Sequence, residues 1–236
     1  MSVLKRILHL AVLFVVLPAM VMAQTDNQEM TVEQSYLQES VEMIIIREQS
    51  RSNSRDNKLV ALDHIGSAIN RGSKSDEVQA TLEYLSLEGI FNKTLENGRV
   101  INNFPDIRRQ SAIYLGQLGT SEAKNTLLKV VGTDNEPMVI SEAIRSLGMI
   151  GNNDDNQVSS IIAWTVNRFN FLVPDNYLAY SALDAFERLA IANKGLNDPS
   201  AYEVIMRIAD NYSYITPVRN RARELLENML KGTYSQ

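Results

Sequence analysis

Residues 105–151 read PDIRRQSAIYLGQLGTSEAKNTLLKVVGTDNEPMVISEAIRSLGMIG. One phrase occurs in them twice, as SAIYLGQLG at 111–119 and as AIRSLGMIG at 143–151. Ser111, Leu115, Gly116, Leu118 and Gly119 return as Ala143, Leu147, Gly148, Ile150 and Gly151, at a constant offset of 32 residues. A fixed offset kept at small, large apolar and glycine positions marks one supersecondary unit that has been copied.

Outward from this stretch the phrase continues more faintly. Ala182, Phe186 and Leu189 match Ala143, Leu147 and Ile150 at an offset of 39, and Ala222, Leu226 and Met229 follow at 40. Upstream, Ala61, Ile65, Gly66 and Ala68 match at an offset of 50. Each copy lies within a helix, and a second apolar-periodic helix follows all but the last. The spacing predicts first helices at 58–70, 106–117, 137–149, 176–192 and 217–230, and second helices at 77–87, 121–131, 156–169 and 199–210. Pro105, Pro137, Pro174, Pro199 and Pro217 fall at or just before predicted helix starts, where a missing N–H costs nothing. Gly119, Gly132 and Gly151 fall at predicted helix ends. Either Ser75 or Asp76 is expected to cap the helix at 77–87, and Asp154 or Asp155 the helix at 156–169. Residues 89–104 are the least regular and are expected to form a loop or an extra turn. No segment shows the alternation of a half-buried strand, so the expected class is all-α.

The small residues have a packing role. Ser111, Ala143 and Ala182 let a neighbouring helix approach, while Leu115, Leu147 and Phe186 fill the space between paired helices. A pair cannot hide its apolar face alone, so pairs stack. A helix at 31–49 lacks a partner copy and reads as an N-terminal cap.

PDIRRQSAIYLGQLGTSEA and EPMVISEAIRSLGMIG resemble HEAT repeats, in the form shared with the HEAT-like repeats of bilin lyases. Ile107-Arg108 and Val218-Arg219 match that family's Val/Ile-Arg opening; Val139-Ile140 lacks the arginine and Leu178-Ala179 departs further. The resemblance implies an α-solenoid, a HEAT-like or armadillo-type superhelix, spanning 31–232 as one domain. It implies that the second helices line a concave, protein-binding face. It implies no activity.

Before the repeats lies an address. Lys5 and Arg6 precede an apolar run from Ile7 to Leu17, Pro18 ends it, and Val21-Met22-Ala23 suits a signal peptidase. A signal peptide over 1–23 and a loose polar leader over 24–30 are expected, with the product exported to a bacterial periplasm. The run is short for a membrane span. The chain has no cysteine, which excludes a lipoprotein and any disulfide. Without Lys5 and Arg6 the chain keeps 21 of its 23 basic residues against 28 acidic ones, a balance of −7. That argues against nucleic acid and anionic lipid as partners.

The residue inventory also limits the chemistry. After cleavage His64 is the one histidine left. A His/Cys zinc site cannot be built, a cysteine nucleophile is absent, and His64 reads as a structural or surface residue. No G-x-S-x-G occurs, and Gly116 and Gly119 lack the spacing and the lysine of a phosphate loop. Asp154 and Asp155 offer oxygens to a hard cation, but the order of an EF-hand is missing. Arg108, Arg109, Arg219, Arg221 and Arg223 are expected to pair with acids or carbonyls along the stack. No catalytic residue, cofactor or metal is therefore expected. Aromatic residues collect between Trp164 and Tyr214. Trp164, Arg168, Tyr202 and Arg207 lie on second helices and are of the types that anchor interfaces, so they form the candidate partner-binding set. The expectation is a non-enzymatic scaffold or adaptor with a protein partner. Self-assembly into a homo-oligomer, as part of an envelope complex, is the alternative, and a bilin-lyase-like enzyme the more remote one.

Overall fold

The structure is a computed structural model that describes residues 31–234. The expected signal peptide at 1–23 and leader at 24–30 lie outside the described residues. The chain divides into two compact units, Met1–Ser40 and Val41–Gln236. Of the first, residues 31–40 are described, where helix α1 (Val32–Arg51) begins. The second unit holds the rest of α1 and every other element.

Those elements are α2 (Arg55–Asn70), α3 (Asp76–Ser86), strands β1 (Leu95–Glu96) and β2 (Arg99–Val100), α4 (Pro105–Leu118), α5 (Ser121–Thr133), α6 (Pro137–Ile150), α7 (Gln157–Leu172), α8 (Asn176–Ala192), α9 (Pro199–Asp210) and α10 (Thr216–Leu230). The first helices α2, α4, α6, α8 and α10 pack each on the next as one layer, and α3, α5, α7 and α9 form the second layer. This is the HEAT-like α-solenoid expected. Beyond Val41, α1 is tied to α3 by Arg47, whose Nε donates to Glu77 Oε1 at 2.9 Å, and Ile46 is fully buried.

The repeated phrase builds the first layer. Ile65, Leu115, Leu147 and Phe186 are buried in one continuous core, and each such side chain contributes about 1.5–3 kcal/mol relative to exposure. The glycine after each leucine sets how closely the layer packs. A Cβ on Gly116 would stand 3.0 Å from Ser146 Cα on α6, and one on Gly148 would stand 2.8 Å from Ala185 Cα on α8. Across the first of these contacts the Ser146 hydroxyl donates to the Ala112 carbonyl at 2.9 Å. Gly119 and Gly151 end α4 and α6 in the left-handed region, at φ 67° and 75°, and return their N–H groups to the Leu115 and Leu147 carbonyls. Gly132 lies just inside α5, and Asp134 is the cap there. Pro105, Pro137, Pro199 and Pro217 occupy first-turn positions.

Residues 89–104 hold the expected extra turn and, beyond it, an unexpected hairpin. A tight turn links Glu88 to Asn92, and β1 and β2 pair as an antiparallel hairpin with Leu95 opposite Val100. Asn97 and Gly98 both have positive φ, which suits a two-residue hairpin turn. Asn102 pins this insertion: its Oδ1 accepts the Thr94 N–H at 2.8 Å and its Nδ2 donates to the Asn92 carbonyl at 2.7 Å.

Beneath the insertion lie buried charges. Lys58 is fully buried, 2.8 Å from Glu88 Oε1, and donates to the Ser50 carbonyl at 2.7 Å. Arg108 donates to both Asp134 oxygens, at 2.7 and 3.2 Å, and to Asn103 Oδ1 at 2.7 Å. Asp134 Oδ1 also accepts the N–H groups of Asn135 and Glu136, at 2.7 and 3.0 Å. One carboxylate thus ties α4 to the junction of α5 and α6. Arg109, Arg221 and Arg223 behave as expected: Arg109 pairs with Glu142, Arg221 with Glu187 and Glu224, and Arg223 donates to the Ala209 carbonyl. Arg219 departs from the expectation, donating to the Thr216 hydroxyl at 3.2 Å and stacking on Tyr212.

Candidate functional site

The candidate site is on the second layer, and α7 positions it. Neither Asp154 nor Asp155 caps this helix. Asn153 does so from inside the turn, accepting the Ser159 N–H at 2.9 Å and donating to the Ser159 hydroxyl at 3.1 Å. A single 3-10 turn spans Asp154–Asn156, with Asp155 and Asn156 both in the left-handed region at φ 52° and 59°. Asp and Asn tolerate that region best among side-chain-bearing residues. The amide of Asn156 donates to the Asn197 carbonyl at 2.9 Å, which leaves Asp154 and Asp155 facing solvent.

Two of the four expected site residues come together on α7. Trp164 is 52% exposed, and the Arg168 guanidinium stacks 5.2 Å from its ring and 5.0 Å from that of Phe169. Arg168 also donates to the Asp134 carbonyl at 2.9 Å. Its charge is therefore engaged, and it holds the indole in place. An open groove of about 740 Å³ runs between α5 and α7, with Lys124 and Leu128 on one side and Ile161 and Trp164 on the other. Asp154 and Asp155 close one end. Lys124 donates to Asn152 Oδ1 at 2.6 Å and lies 3.6 Å from Asp154.

Tyr202 lies one helix further on, half-buried in a shallower hollow of about 520 Å³ with Pro199, Glu203 and Met206. Arg207 is exposed, lines neither hollow, and makes no ion pair among the described residues. Asp198 joins the two helices: it accepts the hydroxyls of Ser159 and Ser160 on α7, at 2.5 and 2.9 Å, and the Ser200 hydroxyl and N–H on α9, at 2.6 and 3.0 Å. Burial pushes its carboxyl pKa up, but the hydrogen bonds from these serines outweigh burial and hold it below the ordinary value.

Leu128 and Ile161 are partly buried groove residues. Both pack on the core from one side and line the groove with the other. At the far end of α7, Phe171 is 92% exposed, and beyond α9 Tyr212 is 86% exposed beneath the Arg219 guanidinium, 4.7 Å from its ring. His64 is partly exposed, 3.5 Å from Glu42. Among the described residues no group of three or more His, Cys, Asp or Glu could hold a metal ion, and no helix is long and apolar enough to cross a membrane.

The fold is a stack of helical repeats with an open, aromatic-headed groove on its second layer. The family model for HEAT repeats matches residues 95–160, from the hairpin through α4, α5 and α6 to the first turn of α7. This stretch consists of HEAT repeats. No curated protein matches the chain.

Proposed function

We propose that this protein is a non-enzymatic scaffold or adaptor that binds a protein partner on its second-helix layer, after export to a bacterial periplasm. The observation that carries the reading is the Trp164–Arg168 pair beside the α5/α7 groove. A large amphipathic ring, half exposed and held by a guanidinium that is itself anchored, is a pre-ordered contact of the kind that dominates interfaces. The inventory supports a binding rather than a catalytic role: no cysteine, and one histidine beyond the signal peptide. HEAT repeats point the same way, toward protein interaction.

The test is affinity capture from envelope extracts, comparing the wild type with a Trp164→Ala, Arg168→Ala, Tyr202→Ala triple variant. Loss of the captured partner in the variant supports the site, and an unchanged capture rejects it. Sequencing the exported product should find Gln24 as its first residue; an intact Met1 in the envelope rejects the cleavage. Self-assembly is the second reading, favoured by Val41 and Ile44, which stay exposed on α1. A monomer at high concentration in light scattering removes it.

A further inference from the structure

We infer that the α5/α7 groove takes a peptide segment carrying a bulky apolar side chain with a lysine or arginine about three residues away in extended conformation. This rests on the reading of the Trp164 face as the binding site and adds the chemistry of what it binds.

The groove has two chemically distinct ends. Leu128, Ile161 and Trp164 form an apolar floor. At the other end Asp154 and Asp155 face solvent. The charges there do not cancel. Lys124 is almost buried and is committed to Asn152 and Asp154, so Asp155 remains without an ion pair among the described residues. Arg168 is held to the Asp134 carbonyl and the aromatic rings, on the far side of Trp164 from the aspartates. The chain as a whole carries −5, which attracts cationic segments and repels anionic ones over longer range. The spacing follows from helix geometry: from the start of α7 at Gln157, about 6 Å of rise reaches Ile161 and about 10 Å reaches Trp164, and Asp155 stands two residues before that start. Three residues of extended chain span about 10 Å.

Trp164 is the one tryptophan of the chain, so its emission reports on the groove directly. The probe is an end-capped peptide, Gly-Lys-Ser-Gly-Phe-Leu-Gly, titrated into the full exported protein and followed by Trp164 fluorescence and by calorimetry. A saturable blue shift is expected, weakening as salt rises to about 0.5 M. Replacing the peptide lysine with glutamate should weaken binding by about two- to ten-fold, and replacing Phe-Leu with Ser-Ser should abolish the shift. Asp155→Asn keeps a residue suited to positive φ, so the fold is retained, and it should remove most of the preference for lysine over glutamate. Equal binding of the glutamate peptide, with the Trp164 shift intact, overturns the cationic partner while leaving the Trp164 site standing. Calorimetric binding with no Trp164 shift, or no binding of any of the peptides, overturns the groove assignment itself.

Discussion

The two helix layers are made of similar amino acids but packed to different rules. In the first layer, α4 meets α6 and α6 meets α8 at glycine and small residues, so close that one added methyl group has no room. In the second layer, α5 and α7 leave a groove large enough for side chains of another molecule. The repeated phrase lies wholly in the first layer. It records a packing constraint, and so it is faithful where contact is tightest. The second layer must only bury one stripe of each helix, which leaves its outer residues free to serve a partner.

The comparison is broken most severely at the charge that ties the layers together. Asp134→Ala would strand the buried Arg108 guanidinium, and an uncompensated buried charge costs about 3–5 kcal/mol. Chemical denaturation should show the midpoint falling accordingly, with the whole stack unfolding in one transition. A loss below about 1 kcal/mol would mean that solvent reaches Arg108 and that the layers are not joined there.

Next in size is the first-layer contact itself. Gly148→Ala places a methyl group against the Ala185 backbone, and overpacking of this kind costs about 1–3 kcal/mol. Gly66→Ala is the internal control. There the obstruction is the end of the Tyr114 side chain, which can turn away, so the loss should be smaller. Equal losses at the two sites would mean that the α6/α8 backbones can separate, and the distinction between the layers would weaken.

These contacts also explain what could be read in advance. The helices, their proline starts and the Gly119 and Gly151 stops were legible because each follows from local chemistry: apolar period, a missing N–H, a left-handed end. The hairpin was not, because strands of two residues are too short for alternation to register; Asn97-Gly98 was its one signal. The ion pairs Lys58–Glu88 and Arg108–Asp134 join residues 30 and 26 positions apart, a distance that periodicity cannot see. At the candidate site, the place of Trp164 on a second helix was legible. The engagement of Arg168 with Asp134 and the groove between Leu128 and Ile161 were not, since both depend on the gap between helices.

A smaller effect tests how α7 is joined to α9. The Asp198 pKa is lowered in the folded state, so its contribution is present above the unfolded value of 3.8 and disappears as the pH falls through the folded value. The stability difference between the wild type and Asp198→Asn should therefore be constant near neutrality and shrink below about pH 4. A difference that grows on acidification would mean that the serine hydroxyls do not favour the charged carboxylate.

The smallest expected effect on stability belongs to the residue with the largest expected effect on binding. Trp164 is half exposed, and its ring contributes chiefly through Arg168, a contact of about 0.5–1 kcal/mol at such a site. Ile162, two residues earlier on α7, is fully buried, and Ile162→Ala should cost about 2–5 kcal/mol. Denaturation of Trp164→Ala, followed by circular dichroism because the fluorophore is gone, should show a loss below about 1 kcal/mol, alongside loss of partner capture. If Trp164→Ala instead destabilised the stack as much as Ile162→Ala, the ring would belong to the core. The second layer would then be built on the same rule as the first, and the reason for placing function there would be gone.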